Sequence, residues 1–373
     1  MRLNRTALAV LAVPGLLFTT SAPAAADAAP PALLQSRYET TTGNQVSRDA
    51  GYSARVPGTS TSLWLFGDTF WNGGFWFGTT AAIGPYTAGQ VPTGLSEVPT
   101  PPAAMSNPSN RPPGGFLPQF PEGLKTPQGA DCTNDGSIGR IPVSWPSGAA
   151  AIPGTTRLLV TYVDVCQFGG PTGERFVVAE YDPATNTLSG TTRVFTDLGG
   201  LSPRLTLGSP IFSNGYLYLF GSQCDGMSFG FCTGGKVFLA RVRATASAWR
   251  DAGSYRFWAG GGWSDDPDDA TSVVPGAKPS SGVAAGNFAA VGKGFVLVET
   301  NDIHGGFTVW RSGGLTGGWT ATYVGATPCS GGGGGLDFCR AHIPHPELST
   351  TSTLLLSYYN PADAHVKVTA VPW

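Results

Sequence analysis

The chain has 373 residues, a formal net charge of −2 at pH 7, and only 12% Lys, Arg, Asp and Glu. It has no tract of clustered cations, which binding to phosphates requires, so neither nucleic acid nor an anionic membrane surface is an expected partner. The 53 glycines and 31 prolines are typical of many turns and short strands, and no long stretch after the first 30 residues has helical periodicity.

Residues 1–26 have the pattern of a secretory signal peptide. Arg2 and Arg5 supply its positive region, and an apolar run from Ala7 to Phe18 is followed by small residues that suit a cleavage site. The run is too short to cross a bilayer, and no later segment is long enough. We therefore expect a secreted, extracellular protein whose mature form begins with a flexible segment over residues 27–36.

A short, apolar, β-prone phrase recurs along residues 37–373. Its copies are Leu63–Asp68, Leu158–Asp164, Tyr216–Gly221, Gly294–Glu299 and Leu354–Tyr359. Most copies follow a turn-rich stretch that begins with a shorter strand, and the heads of these shorter strands are Asp49, Asp135, Gly208, Gly286 and His345. Repeated hairpins of one pattern predict radial repetition, so we expect an all-β chain that forms a single five-bladed β-propeller.

A Pro-rich insertion interrupts this rhythm at about residues 84–130. A loop of this length inside a compact domain is usually either functional or disordered. We favour an ordered flap over one face of the disc.

The cysteine count of an exported chain predicts disulfides. Six cysteines suggest three bridges, and sequence alone allows about 15 pairings of them. Proximity in the chain favours Cys224–Cys232 and Cys329–Cys339, which leaves Cys132–Cys166.

Polar residues cluster at the predicted strand ends. In an antiparallel hairpin the start of the first strand lies beside the end of the second, so Asp49 and Asp68 fall on one rim. The same construction puts His345 and Glu347 near Tyr359 and Asn360. A propeller gathers these rims around one axis. The other predicted members of the site, assigned to substrate binding, are Asp135, Trp71, Asn301, Asp302, His345, Glu347 and Asn360.

Two carboxylates that face one cleft are the minimum equipment for cleaving a glycosidic bond. One of them must stay protonated to act as an acid, and the other must stay ionised as base or nucleophile. Asp49 and Asp68 are the candidates for this pair, and their roles could be exchanged. Because Asp before or after Gly is also ordinary turn chemistry, the alternative is that both residues only shape turns.

Three weaker patterns were considered for metal binding or nucleophilic catalysis. His342, His345 and Glu347 could hold a metal, but no further ligand is identifiable. Aspartates between residues 265 and 269 lack the glycine and glutamate of a calcium loop, which favours a solvated turn. The G-x-S-x-G match at 226–230 lacks the strand-to-helix context of a nucleophile elbow. No metal and no cofactor is therefore predicted.

Four motifs resemble a known family. They are Asp49–Ser53, Trp64–Phe70, His345–Ser349 and Leu356–Pro361. Over roughly residues 37–373 the chain resembles secreted, mostly actinobacterial five-bladed propellers long catalogued as a domain of unknown function. Assigned members of that family are endo-D-arabinanases that cut the arabinan of mycobacterial-type cell walls.

This resemblance implies a catalytic pair of Asp49 and Asp68, with His345 and Glu347 lining the site. A looser similarity links the chain to the five-bladed arabinanases and xylosidases, which place an essential acid at the head of the third inner strand. Gly208–Pro210 occupies that place here, so this arrangement does not transfer.

The expected function is therefore that of a secreted, monomeric glycoside hydrolase that cleaves arabinofuranose-containing cell-wall polysaccharide. The alternative is a non-catalytic carbohydrate-binding propeller, which would keep an aromatic rim without needing paired acids. A secreted scaffold without a sugar site is a third possibility.

Overall fold

The computed structural model describes residues 32–33, 46–71, 74–76, 78–104, 115–118, 141–167, 171–195, 206–224, 227–228, 231–232, 235–280, 282–329 and 338–373. The predicted signal peptide and Asp135 lie outside these residues. The regular secondary structure of the described residues is nearly all strand, as predicted. Its helical parts are α1 (Ala246–Trp249) and the 3-10 turns Pro102–Ala104, Ala252–Ser254, Pro267–Asp269 and Ala289–Val291. In the described part no helix has the length and apolar character that a bilayer crossing requires.

Five antiparallel sheets form the blades of a propeller. Strand β1 (Ala32–Leu33) precedes them and joins the last blade. Blade 1 contains β2 (Val46–Arg55), β3 (Thr61–Trp71), β4 (Gly74–Trp76), β5 (Thr80–Pro85) and β6 (Ser96–Glu97). Blade 2 contains β7 (Ile141–Ala151), β8 (Leu158–Gln167), β9 (Pro171–Asp182) and β10 (Thr187–Phe195).

The remaining blades follow the same plan. Blade 3 contains β11 (Thr206–Ser213) and β12 (Tyr216–Cys224), then a separate hairpin of β13 (Met227–Ser228) and β14 (Phe231–Cys232), then β15 (Gly235–Arg243), β16 (Arg256–Trp258) and β17 (Trp263–Ser264). Blade 4 contains β18 (Val283–Asn287), β19 (Phe295–Thr300), β20 (Gly306–Ser312) and β21 (Thr320–Ala326). Blade 5 contains β22 (Arg340–Pro344), β23 (Thr353–Asn360) and β24 (His365–Pro372).

The first strand of each blade is its inner strand, and these strands form a closed ring. The inner strands β2, β7, β11, β18 and β22 each contact the next, and β22 returns to β2. All five recurring phrases coincide with the second strand of a blade, namely β3, β8, β12, β19 and β23. The predicted five-bladed propeller is therefore confirmed.

The second strands are apolar on both faces because each face packs against a different blade. On β3, Leu63 and Leu65 join the apolar cluster shared with blade 2. Their neighbours Trp64 and Phe66 point the other way, into the cluster shared with blade 5. Each of the four side chains is at most 1% exposed, and burying such a side chain contributes about 1.5–3 kcal/mol. A continuous apolar run is thus the signature of a strand between two blades.

The N-terminal strand closes the ring. Ala32 pairs with Val368 and Leu33 with Lys367, so β1 becomes the outermost strand of blade 5. These two residues lie within the segment 27–36 that the sequence predicts to be flexible, and their backbone completes the ladder of β24.

The described parts of the Pro-rich insertion pack against blade 1 and its neighbours. Leu95 lies in the cluster between blades 1 and 5, while Phe116 and Leu117 lie in the cluster between blades 1 and 2. Arg48 of β2 forms an ion pair with Glu97 of β6 at 2.5 Å, with only 4% of the arginine side chain exposed. Residues 84–104 and 115–118 of the insertion therefore pack between neighbouring blades. Any flap over the face of the disc would have to be formed by the other residues of the insertion, which the structure does not describe.

Two predicted strand heads are wrong. Gly286 lies near the end of β18, and His345 follows the end of β22 rather than beginning it. Both inner strands have only five residues, and Gly or Pro beside them gives the same turn signal at either end. The heads at Asp49 and Gly208 do lie in the inner strands β2 and β11.

The disulfide Cys329–Cys339 is present as predicted. It links the segment that follows blade 4 to the residue before β22. Cys132 and the sulfur atoms of Cys166, Cys224 and Cys232 lie outside the described part of the chain.

Candidate functional site

A bulge in β2 presents Asp49. Arg48 pairs with Thr69 and Ala50 with Phe66, so the register shifts at Asp49, and it shifts again before Tyr52. Ala50 has φ +62°, in the left-handed region that an L-residue adopts at a cost of about 1–2 kcal/mol. Bulges of this kind re-aim side chains and are frequent beside functional sites.

Asp49 forms an ion pair with Arg340 of blade 5. Its Oδ2 accepts hydrogen bonds from Arg340 Nε and lies within 2.7 Å of that nitrogen and of Nη2. Its Oδ1 accepts from the backbone N–H of Ala50 at 2.6 Å. The two side chains are 21% and 22% exposed, respectively. Asp49 is thus a charge-compensated carboxylate that solvent can reach.

Asp68 has the opposite environment. Its Oδ1 accepts from Trp145 Nε1 at 2.9 Å and from the backbone N–H of Gly78 at 3.3 Å. Burial raises the pKa of Asp68 to about 6, and the negative charge of Asp49 adds to the rise, whereas the two hydrogen bonds and the charge of Arg340 oppose it. Because the two lone pairs of Oδ1 are occupied, the proton of the neutral acid belongs on Oδ2.

Acidic residues occupy similar places in two other blades. Asp164 lies towards the end of β8 and Glu299 towards the end of β19, as Asp68 does in β3. Their exposed fractions are only 1% and 4%, whereas Asp68 is partly exposed. Trp310 Nε1 donates to Glu299 at 2.7 Å, and Ser144 Oγ lies 2.7 Å from Asp164 Oδ1. Of these three acids, Asp68 is the one that a ligand can reach.

His345 and Glu347 belong to a different part of the molecule. The backbone N–H of His345 donates to the carbonyl of Leu355, while Arg340, at the other end of β22, pairs with Tyr359. The prediction that His345 and Glu347 lie beside Tyr359 and Asn360 is therefore wrong. The error follows from taking His345 as the start of the inner strand.

The side chain of His345 is enclosed between blades 5 and 1. It is 0% exposed, its Nδ1 lies 2.7 Å from Ser53 Oγ, and its ring centroid lies 4.8 Å from that of Trp64. Ser53 Oγ donates to Glu347, so its single proton is used and His345 Nδ1–H must donate to Ser53. Burial lowers the pKa of His345 to about 3, which keeps the ring neutral. This chain of hydrogen bonds joins two blades.

Three of the other residues predicted to bind substrate, Asn301, Asp302 and Asn360, make hydrogen bonds to residues near them in the chain. Asn301 exchanges hydrogen bonds with Thr308, and Asp302 Oδ1 accepts from two backbone N–H groups in the turn after β19. Asn360 is 3% exposed and its amide donates to Asp363 at 3.0 Å. The side chain of Trp71, like the whole of Asp135, lies outside the described part, so the predicted roles of these two residues stay predictions.

Both ring nitrogens of His342 have partners. Nδ1 lies 3.0 Å from Thr300 Oγ1 and Nε2 lies 3.2 Å from Thr327 Oγ1. Burial lowers the pKa of His342 to about 4. Among the described residues, no group of three or more His, Cys, Asp or Glu side chains is arranged to hold a metal ion.

The aspartates between 265 and 269 build a surface turn. Asp266 caps the short 3-10 turn by accepting from the Asp268 N–H at 2.9 Å, and Asp269 accepts from Ser264 at 2.6 Å. The carboxylates of Asp266 and Asp269 therefore accept hydrogen bonds from other residues of the same turn.

Sequence reasoning missed Arg340 and Trp145. Arg340 forms the ion pair with Asp49, and Trp145 donates the hydrogen bond to Asp68. Arg340 directly follows Cys339 and is one of few charged residues near a predicted strand, which could have drawn attention to it. Trp145 would have followed from a correct placement of β7.

No protein-family model and no curated protein matches the chain. Among solved structures, a Bacteroides ovatus protein provisionally described as a hydrolase aligns over 87% of this chain and 85% of its own, with 13% identity and a TM-score of 0.55. A family 117 glycoside hydrolase from the marine bacterium Zobellia galactanivorans aligns over 91% and 88%, with 12% identity and a TM-score of 0.50. At these identities the similarity concerns the fold.

Proposed function

We propose that the protein is a glycoside hydrolase in which Asp68 is the general acid and Asp49 is its ionised partner. The observation that carries the proposal is the contrast between two neighbouring carboxylates at one rim. Asp49 is paired with Arg340, whereas Asp68 is partly exposed, accepts hydrogen bonds from neutral donors, and has a pKa that burial raises to about 6. Titratable groups whose environments differ in this way are the usual mark of an acid and base pair.

The contacts assign a task to each oxygen. Asp68 Oδ2–H would protonate the glycosidic oxygen as its bond to the anomeric carbon breaks. Asp49 Oδ2 is occupied by Arg340, whereas Oδ1 accepts only the Ala50 N–H among the described contacts. Oδ1 would therefore take the proton of a water that attacks the anomeric carbon, or would itself attack that carbon. In general, a carboxyl separation of about 6.5–9.5 Å accompanies the first course and about 5–5.5 Å the second.

The proposed substrate is an arabinofuranose-containing cell-wall polysaccharide. This choice is supported by the motif resemblance around Asp49, Asp68 and His345, and by the signal-peptide pattern, which would place the protein outside the cell. The glycoside hydrolase with a similar fold supports the broader class of activity.

The test is incubation with isolated arabinogalactan, followed by analysis of released oligosaccharides. Asp68→Asn and Asp49→Asn should each lower turnover by about 10²–10⁴-fold while the fold survives. Asp164→Asn is the matched control, because it changes an acid at a similar place in blade 2 that is only 1% exposed. Glycan binding without cleavage would instead identify a carbohydrate-binding propeller. Equal losses in all three variants would contradict the assigned roles.

A further inference from the structure

The Cys329–Cys339 disulfide and the pairing of β22 with β23 fix the backbone position of Arg340. Arg340 begins β22, directly after Cys339, whose sulfur is bonded to Cys329. The backbone N–H of Cys339 donates to the carbonyl of Ile303 at 3.1 Å, and Arg340 pairs with Tyr359 of β23. The backbone of Arg340 is therefore held by a disulfide on one side and by a strand on the other.

Aromatic rings hold the guanidinium of Arg340. Its carbon atom Cζ lies 4.0 Å from the ring centroid of Tyr359 and 4.7 Å from that of Phe338. The negative face of an aromatic ring attracts a cation, more strongly where water is excluded. The planar group is thus aimed at Asp49 Oδ2 on another blade, 291 positions away in sequence.

We propose that Arg340 is a positioning residue which holds Asp49 in place as the charged partner of Asp68 and offsets the repulsion between the two carboxylates, and that the Cys329–Cys339 disulfide is required to hold Arg340 there. The catalytic meaning of this role rests on the proposed function. The electrostatic role does not, because it concerns only where a proton resides in the free protein.

The groups that face Asp68 determine how its proton responds. Among the described residues they are the charges of Asp49 on β2 and Arg340 on β22, and the donors Trp145 Nε1 and Gly78 N–H. The charge of Arg340 lowers the pKa of Asp68 and so opposes burial. Without Arg340, two neighbouring carboxylates would compete for one proton, and like charges favour protonation of one member of such a pair.

The decisive measurement is a ¹³C-carboxyl NMR titration of the aspartates, with the Asp68 signal assigned through Asp68→Asn. In Arg340→Met the Asp68 midpoint should rise by about one pH unit, a roughly tenfold gain in proton affinity. Arg340→Lys keeps the charge and should restore most of the wild-type midpoint. Arg311→Met, which removes an arginine stacked on Trp373 in a different part of the protein, should leave it unchanged.

The disulfide is tested by the double variant Cys329→Ser, Cys339→Ser. Its Asp68 midpoint should rise in the same direction as that of Arg340→Met, by a smaller amount. In turnover assays, the basic limb of the plot of kcat/KM against pH should move to higher pH together with the Asp68 midpoint. The decrease in kcat should be larger than the change in KM. A merely structural role would lower the folded fraction without moving the limb.

These readouts separate the two proposals. Shifted midpoints without any glycan cleavage would leave the role of Arg340 intact and remove the hydrolase proposal. An unshifted Asp68 midpoint in folded Arg340→Met would overturn the inference, whatever the enzyme does. If Arg340→Met does not fold, the cysteine double variant takes its place, and an unchanged Asp68 midpoint in that folded variant would overturn the inference.

Discussion

Replacing Asp164 with asparagine should remove most of the pH dependence that this one residue gives to stability. Ser144 Oγ lies 2.9 Å from the carbonyl oxygen of Pro118 and 2.7 Å from Asp164 Oδ1. A hydroxyl has one proton, and the carbonyl can only accept. Ser144 therefore shares its proton between these two acceptors, so Asp164 receives at most part of one hydrogen bond from it.

The magnitude follows from the pKa of Asp164. Burial raises this pKa from 3.8 to about 7, although Ser144 and two arginines, Arg193 and Arg175, oppose the rise. The folded protein therefore holds a proton that the unfolded chain releases, so stability falls as pH rises from 3.8 to about 7. Between pH 5 and pH 8.5 the change spans about two pH units, or about 3 kcal/mol at about 1.36 kcal/mol each.

The assay is denaturant unfolding of the wild-type protein and Asp164→Asn at both pH values. Asparagine cannot ionise, and its amide oxygen can still accept from Ser144, so the variant should lose about 3 kcal/mol less than the wild type as pH rises. Asp265→Asn, at an exposed position, controls for removing a surface charge. Equal losses in the wild type and Asp164→Asn would refute the assignment of a neutral acid at this position.

Two further substitutions test the local geometry. Trp145→Phe removes the Nε1–H that opposes the raised pKa of Asp68, so the basic limb of the activity profile should move to higher pH; an unmoved limb would show that this bond does not act on the acid. Gly51→Ala places a Cβ 2.8 Å from Val366 Cγ1 at φ +122°, and thermal unfolding should show a loss of about 2–3 kcal/mol. Gly58→Ala, at φ +74° with no atom within 4 Å of its Cβ, should cost about 1 kcal/mol, and equal losses would rule out the contact with Val366.

The fold could be predicted because the second strands carry an unusual signal. Strands such as β8 and β23 face a neighbouring blade on both sides, so they are apolar without alternation and recur with the blade. The inner strands β18 and β22 have five residues each, too few to carry a period. Only Gly and Pro indicate where these strands begin, and both residues border a strand at either end.

The candidate site was only half visible in the sequence. Asp49 and Asp68 are joined by a local hairpin, so strand pairing places them together without any knowledge of the ring. Arg340 reaches Asp49 only after the ring closes, across 291 positions, and nothing in the spacing of residues encodes that contact. For His345 the sequence misleads in the opposite direction. Its motif looks functional, but its side chain forms hydrogen-bonded contacts that join two blades.

The pairing of β1 with β24 also constrains the order of events during biogenesis. A chain that is synthesised from its N-terminus delivers β1 long before its partner β24 exists. Blade 5 can therefore be completed only at the end of synthesis, and until then β1 has no strand to pair with. Contacts between such distant segments slow folding, since the intervening chain must first be ordered. The pairing of β1 with β24, at the two ends of the propeller, is thus a late step of folding.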